Sequence, residues 1–358
     1  MSSSEDDSEE DTCDDPQLKS FHNYLRQAQK ILCVVGSGLS QDSGIPTYRL
    51  QNGSWKGYTS LDLATPEAFQ SNPGLVWLFY SNRRYIAMKA RPNDGHYALA
   101  SLSKKCKDCR KEVLIVTQNV DGLHQKAGQL EEDLCELHGS LFDLQCTSFF
   151  CTYRGKNTKS LFLTSSLREH TPRDVGVKRR YRDQLFPSKK KSKKSSLPLS
   201  NIERENDKES GMSSSDFDPL PHITKEDLPQ CPQCKEGLLR PGVVWFGEPL
   251  PLSQMDKVDK FFVKETNDPN NSFPLAEKID LVLVIGTSGK VWPAMGYVER
   301  CRQDGGKVAI FNTKIDDIKA VRKDKNVWGF QGEASYWLPK ALQPIIGRNI
   351  HPRNQQQR

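Results

Sequence analysis

An α/β fold organised around a parallel sheet is the architecture this 358-residue sequence predicts. Three observations carry it. Short runs that are apolar throughout recur along the chain, amphipathic segments separate them, and two of the runs end in Gly/Ser-rich turns. Strands buried on both faces read as continuous apolar runs, and the helices that cross between them cover those faces.

The N-terminus, MSSSEDDSEEDTCDD, is acidic and Ser-rich with almost no apolar content, so residues 1–16 are expected to be a disordered tail. The segment PQLKSFHNYLRQAQK predicts a helix over about 17–29, which leads into the strand run ILCVV. VLIV at 113–116, LVLVI at 281–285 and VAIF at 308–311 are the further strands. From about 155 to 225 the pattern breaks into Ser, Lys, Arg and Pro, including VKRRYRDQLFPSKKKSKKSS, which predicts a largely disordered insertion. There is no internal repeat, and 346–358 reads as a second tail.

No stretch approaches 18 consecutive apolar residues, so no membrane span is expected. The N-terminal segment lacks both the apolar centre of a secretory signal and the Arg-rich character of a mitochondrial transit peptide. A nuclear or cytoplasmic location is the expectation. Much of the formal charge of +6 comes from the insertion, where Lys178-Arg179-Arg180 and Lys189-Lys190-Lys191 read as a nuclear-import or polyanion (chromatin) patch, or as a merely solvated loop. Oligomeric state is left open.

Ten cysteines without a secretory signal read as thiols or metal ligands. Cys146 and Cys151 are followed, after the insertion, by Cys231-Pro-Gln-Cys234; two pairs that each bracket a short turn can give a tetrahedral zinc four thiolates. Cys106 and Cys109, in KKCKDCRK, form a competing pair whose basic neighbours favour thiolates. They have no second pair and are expected to be surface thiols.

GSGLSQDSGIPTYR, residues 36–49, directly follows a strand, and its small residues would let a backbone approach a phosphate. The sixth position of GSGLSQ is Gln41 rather than Gly, so this is not the ordinary dinucleotide fingerprint, and a tight strand-to-helix turn is the plain alternative. A second such turn, Gly286-Thr287-Ser288, follows LVLVI. Two turns at strand ends point to one nucleotide site. The polar run after VLIV packs Gln118, Asn119, Asp121 and His124 into seven residues, and such groups need partners if buried.

With these motifs in hand, the chain resembles the sirtuins, NAD-dependent protein-lysine deacylases. GSGLSQDSGIPTYR resembles their first NAD motif, TQNVDGLHQKAG their nicotinamide-pocket motif, and ELHGS their catalytic motif. RPGVVWFGEPLP resembles the segment that pairs with substrate peptide, and GTSGKVWPA and FNTK resemble the later NAD-contacting turns. The motifs fall in family order over roughly 20–150 and 228–345. The resemblance implies a Rossmann-like parallel-sheet domain (about 17–140 and 241–345) and a smaller zinc-binding module (about 141–240), with NAD and an acyl-lysine protein or peptide in the cleft between them. It implies NAD contacts at Gly36, Ser37, Gly38, Ser40, Tyr48, Arg49, Gln118, Asn119, Asp121, Gly286, Thr287, Ser288, Asn312, Thr313 and Ala334. Gln118 would meet the nicotinamide ribose, and Asn119 and Asp121 the nicotinamide amide; His124 is assigned no chemistry. Val244, Trp245, Phe246, Gly247 and Glu248 would hold the peptide, and Cys146, Cys151, Cys231 and Cys234 the zinc. His138 is the implied general base: the acyl oxygen attacks the nicotinamide ribose, nicotinamide leaves, and His138 helps a ribose hydroxyl toward free lysine and O-acyl-ADP-ribose.

Some positions depart from the family pattern. Ser37 replaces an alanine, Thr47 an aspartate and Tyr48 a phenylalanine; Lys314 stands where an acid is common; and the first cysteine pair is separated by four residues instead of two.

LATPEAFQSNPGLVWLFYSNRR resembles the subclass that removes succinyl, malonyl and glutaryl groups, with Tyr80 and Arg83 as its selectivity pair and Ala64 opening the acyl pocket. Residues three apart share a helix face, and a guanidinium can grip a carboxylate through two parallel hydrogen bonds. A core tyrosine beside a solvated arginine is the structural alternative. An ordinary lysine deacetylase, and a non-catalytic NAD- or ADP-ribose-binding chromatin adaptor, are the competing functions; Asn119, Asp121 and His138 together argue against the adaptor.

Overall fold

The protein is described from a computed structural model over residues 15–47, 54–171, 221–264 and 275–351. In chain order its strands are β1 (Lys30–Val35), β2 (Ser54–Trp55), β3 (Tyr58–Thr59), β4 (Glu112–Thr117), β5 (Leu134–Glu136), β6 (Gly139–Cys146), β7 (Arg154–Lys156), β8 (Leu239–Val243), β9 (Val263–Lys264), β10 (Leu275–Ala276), β11 (Leu281–Ile285), β12 (Lys307–Asn312) and β13 (Val327–Gln331). Six of them form a sheet in the order β13-β12-β11-β1-β4-β5, parallel at every pairing. The four apolar runs are β1, β4, β11 and β12. β5 has only three residues and β13 is interrupted by Gly329, so neither presents a run.

Every residue of β1 is buried. Ile31, Cys33 and Val35 face a core built with the helices Pro16–Gln27, Asp94–Asp108 and Ala334–Ile346. Leu32 and Val34 face a second core built with Leu252–Phe261 and Ala294–Gln303. The period of two along a strand sends alternate side chains to opposite layers, which is why the run had to be apolar throughout. Strand order reverses between β1 and β11, and ligands of open α/β sheets bind beyond the carboxyl ends of the strands at such a point.

A second unit is built on the antiparallel sheet β7-β6-β8. Its core also takes Leu63, Phe69, Val76, Trp77, Phe79 and Tyr80, so residues 60–89 belong with this module and not with the parallel sheet as the sequence suggested. The helix Pro73–Lys89 is buried on several faces and carries no single apolar stripe from which its partner could be read. Trp77 Nε1 donates to the Leu239 carbonyl at 2.9 Å. The buried Arg84 donates to the carbonyls of Leu141, Asn157 and Ser160.

Those last contacts correct the expected start of the insertion near 155. Residues 157–171 belong to the fold: the helix Ser165–His170 is capped by Thr164, Leu167 is fully buried, and Thr171 Oγ1 donates to Ser81 Oγ at 2.7 Å. Ile223 and Leu228 are likewise buried on the return. One apolar residue per turn is outweighed in a composition average by the Ser and Lys around it. The basic clusters at 178–180 and 189–191 lie outside the described residues. No helix among the described residues is long and apolar enough to cross a membrane.

Candidate active site

The turns after β1 and β11 lie side by side because their strands pair. Gly36 N donates to the Ile285 carbonyl and Gly38 N to the Gly286 carbonyl, both at 2.8 Å. A Cβ on Gly36 would meet Gly286 O at 2.8 Å, and one on Gly38 would meet Gly286 Cα at 2.7 Å. These glycines are required by each other's backbone. Thr287 is buried, with its Oγ1 donating to Gln118 Oε1 at 3.4 Å, and Asn312 Nδ2 donates to the Thr287 carbonyl at 2.9 Å. Four strand ends are thereby tied into one surface, with Ser288 following and Ser37 opening the short helix Gly38–Gln41.

Gln118, Asn119 and Asp121 leave β4 directly above that surface. Asn119 Nδ2 donates to the Gly36 carbonyl (3.0 Å) and to Ser40 Oγ (3.2 Å). Asp121 accepts from Leu123 N at 2.9 Å and is hydrogen-bonded to Ser40; burial nonetheless raises its carboxyl above the usual range. Gln118 Nε2 is buried with no partner among the described residues. An orphaned amide donor beside two glycine turns fits a polar dinucleotide, which would supply the missing acceptor.

His138 sits between the two units, after β5 and one residue before β6. Its Nδ1 lies 3.1 Å from the Gln118 carbonyl. A carbonyl only accepts, so Nδ1 carries the proton and Nε2 keeps the lone pair. Burial lowers the imidazole's pKa, against the opposing pull of that carbonyl. His138 is therefore a neutral base at pH 7. Gly139 follows with φ of 70°, where a Cβ would come within 2.1 Å of the Gly242 carbonyl. Only glycine lets β8 cross there.

The segment after β8 runs alongside this histidine. Val244 N donates to the His138 carbonyl and Phe246 N to the Ala64 carbonyl, both at 2.9 Å. The ring of the buried Trp245 lies 5.3 Å from that of Phe69 and 6.4 Å from that of Tyr80. Tyr80 and Arg83 stand one turn apart on the helix Pro73–Lys89. Arg83 Nη2 donates to Ser60 Oγ at 2.8 Å, and its guanidinium lies 4.4 Å from the centre of the Phe79 ring. Ala64, Tyr80 and the 244–246 segment thus converge, with the guanidinium held by a hydroxyl and an aromatic face.

The four cysteines also meet. Their sulfurs lie within 4.8 Å of one another, with Cys146–Cys234 and Cys151–Cys231 each at 3.7 Å. A Zn–S length of about 2.3 Å puts tetrahedral sulfurs about 3.8 Å apart, so the set is positioned to bind zinc. The four-residue spacing is accommodated: the 147–150 turn bulges outward, with Phe149 and Phe150 exposed. Ser148 N and Gly237 N donate to the Cys146 and Cys234 sulfurs, bonds that favour thiolates.

The Sir2 family profile matches residues 36–177 and 206–293. A relative from Candida albicans, named NAD-dependent protein deacylase, is 46% identical over 92% of this chain and 98% of its own length. The chain belongs to the Sir2 family. A further relative, the NAD-dependent protein deacylase sirtuin-5, mitochondrial, of Canis lupus familiaris, is 31% identical over 93% of this chain and 87% of its own. Among solved structures, a Sir2 homologue–NAD complex aligns with a TM-score of 0.62 at 25% identity, covering 91% of this chain and 93% of that one.

Within this Sir2 site some expected residues have other surroundings. Glu248 is not presented to a ligand: it makes a two-pronged pair with Arg240 and accepts from Trp245 N, which hold its carboxyl low although burial pushes it up. Gly247 completes that turn with φ of 86°. Thr313 and Lys314 are exposed beyond β12, while Ala334 is buried at the start of the last helix, its carbonyl close to Gly95. Tyr48 and Arg49 lie outside the described residues. The Cys106 expectation is corrected. It fills the core beneath the helix Asp94–Asp108, where burial raises its thiol to about 12, and only Cys109 is exposed. Its spacing from Leu99 and Leu102 on one helix face was the signal to read.

Several residues that the sequence did not flag complete the Sir2 site. Ser60 holds Arg83, Arg240 stacks 3.3 Å from the centre of the Trp245 ring, and His96 Nε2 lies 3.4 Å from Ser40 Oγ. His96 is fully buried, 5.3 Å ring to ring from His124.

Two predictions arise here. Cys231→Ser/Cys234→Ser should purify with almost no zinc and with a melted smaller module, since structural zinc contributes on the order of 10 kcal/mol to such modules. Undiminished zinc on metal analysis would move the site elsewhere. Burial of His124 lowers its pKa from 6.5 to about 4, and neither ring nitrogen has a partner among the described residues. The folded state then binds fewer protons, so His124 contributes stability that is present above pH 6.5 and lost as pH falls toward 4. Between pH 7 and 5 that loss is about 2 kcal/mol. Urea midpoints of His124→Leu should fall less over this range than those of the parent; equal slopes would contradict the assignment.

Proposed function

We propose that this Sir2 chain removes acyl groups from protein lysines with NAD as co-substrate, and that it prefers acyl groups ending in a carboxylate, such as succinyl, malonyl and glutaryl. The products are free lysine, nicotinamide and O-acyl-ADP-ribose. Deacylation rests on family membership and on relatives named NAD-dependent protein deacylases at 46% and 31% identity. The acidic preference rests on a single observation: Arg83, one turn from Tyr80, is anchored by Ser60 and Phe79 where Ala64 and the 244–246 segment converge.

NAD, when bound, supplies an electrophilic ribose carbon with nicotinamide as leaving group. The chain does the rest. Gly36, Gly38, Gly286, Thr287, Ser288 and Asn312 shape the surface for its phosphates and adenosine end, and Gln118 Nε2 offers a donor to the nicotinamide ribose. Asn119 and Asp121, both tied to Ser40, hold the carboxamide. His138 Nε2 accepts the ribose hydroxyl proton, while the Gln118 carbonyl fixes the tautomer that leaves it free. Val244 and Phe246 present the peptide, and Ala64 leaves room for the acyl chain. Arg83 offers the acyl carboxylate two donors and Tyr80 a third, a geometry suited to a planar anion. Zinc at the four cysteines would brace the module that carries Tyr80 and Arg83.

Measuring nicotinamide release against freed lysine tests the reaction. One nicotinamide per lysine, only with acyl-peptide present, is expected. Release independent of peptide would leave a glycohydrolase, and no release at all would leave a binding module.

A further inference from the structure

The helix Pro73–Lys89 ends against the candidate nicotinamide segment, and one cation joins the two. Lys126 Nζ donates to the carbonyls of Ala87 (2.8 Å), Met88 (3.0 Å) and Ala90 (3.2 Å). Ala87 and Met88 lie in the last turn of that helix, and Ala90 is its C-cap. The last carbonyls of a helix have no partner within it, and a cation there also meets the negative end of the helix dipole. An ammonium carries three protons, and Lys126 places all three on this one helix end.

The backbone of the lysine is rooted at Asp121. Lys126 closes the short helix Leu123–Lys126, whose first amide, Leu123 N, donates to Asp121 Oδ1 at 2.9 Å. Burial raises the pKa of the Asp121 carboxyl and lowers that of the Lys126 ammonium, and each charge opposes that shift in the other. A second tie runs beside the first. Arg84, on the same helix, donates to the Leu141 carbonyl and lies 5.2 Å from the centre of the Phe142 ring. Leu141 N donates to the Val120 carbonyl at 2.9 Å, and a Cβ on Gly122 would meet Phe142 Cε2 at 2.7 Å. The segment 120–126 is thereby clamped to the helix that carries Tyr80 and Arg83. One of the two clamps grips the Ala87 carbonyl, one turn beyond Arg83.

We propose that Lys126 is a positioning residue that holds the acyl-recognition helix in register with the nicotinamide pocket, so that Arg83 and Asp121 keep a fixed spacing. This role rests on the acidic-acyl deacylase reading and adds to it a residue that touches neither substrate. Water can reach the exposed helix end when the ammonium is removed, so the helix stays folded and only its tie is lost. A displacement of about 1 Å between groups that hold two reactants lowers a rate by as much as a hundredfold, so a loosened tie is expected to show in turnover.

The test compares the parent with Lys126→Met, which keeps the apolar stem without donors, and with Lys126→Arg, which keeps a cation. Two quantities are read. One is the ratio of kcat/KM for succinyl over acetyl peptide. The other is the calorimetric affinity for NAD relative to ADP-ribose, which lacks nicotinamide and so cancels damage to the rest of the cofactor surface. Lys126→Met should lower the first about tenfold and the second about threefold, and Lys126→Arg should restore both to within about twofold. Lys126→Gln, with two neutral donors, should fall between them, and it carries the test if Lys126→Met does not fold. A lysine that served stability alone would lower the thermal midpoint and leave both quantities at parental values, which would overturn the proposal. Loss of both in Lys126→Arg would overturn it as well. A parent that turns over succinyl peptide no faster than acetyl would sink the acidic-acyl reading alone, and the NAD against ADP-ribose comparison would still decide Lys126.

Discussion

His138→Ala should lower acyl-peptide turnover by about 10²–10⁴-fold, the usual worth of a positioned general base, while the thermal midpoint stays close to that of the parent. The side chain is only partly buried, and its one described hydrogen bond goes to the Gln118 carbonyl, so its loss opens no large core cavity. The backbone carbonyl that receives Val244 N is untouched. The pH profile gives an independent reading. Burial lowers the imidazole pKa below 6.5, so the protein should lose activity only as pH falls through a value under 6.5, and the residual rate of the variant should lack that limb. Retention of a tenth or more of the parent rate would remove His138 from the base role.

Arg83→Met should cut desuccinylation far more than deacetylation. The substrate carboxylate keeps its charge in the pocket but loses its two-pronged partner. Truncating one side of a buried charge pair costs about 3–5 kcal/mol, or on the order of 10²–10⁴-fold. An acetyl group presents no carboxylate, so its turnover should change little. The ratio of kcat/KM for succinyl over acetyl peptide cancels general damage to NAD binding or to folding. Ser60→Ala should lower the same ratio mildly, because the Phe79 ring still supports the guanidinium. A ratio unchanged in Arg83→Met would assign the arginine to the surface.

Much of this was legible from the chain because the physics is local. Strands buried on both faces had to be apolar throughout, and β1, β4, β11 and β12 are. Strand ends that form a candidate ligand surface had to carry small or polar residues, and Gly36, Gln118 and Thr287 do. What was not legible depends on partners distant in sequence. The helix Pro73–Lys89 declares no outward face, so its allegiance to the smaller module needed the Trp77–Leu239 and Arg84–Leu141 contacts. Arg83 and Arg84 are neighbours of identical type, yet one is held at the candidate pocket and the other caps carbonyls in the core. Glu248 reads as a ligand residue in its motif, but Arg240, eight residues earlier, claims it. The four-residue spacing of the first cysteine pair does not tell where Cys151 ends up; the turn at 147–150 brings its sulfur to 3.7 Å from that of Cys231.

An acidic-acyl preference in this Sir2 chain should show in a panel of otherwise identical peptides. Lysine would carry acetyl, butyryl, malonyl, succinyl or glutaryl, with kcat/KM read by mass spectrometry in the presence of NAD. The carboxylate-bearing acyl groups should exceed acetyl and the neutral, similarly sized butyryl by about tenfold or more, since loss of one side of a buried charge pair costs several kcal/mol. Acetyl or butyryl turned over as fast as succinyl, malonyl and glutaryl would contradict it and leave an ordinary deacylase.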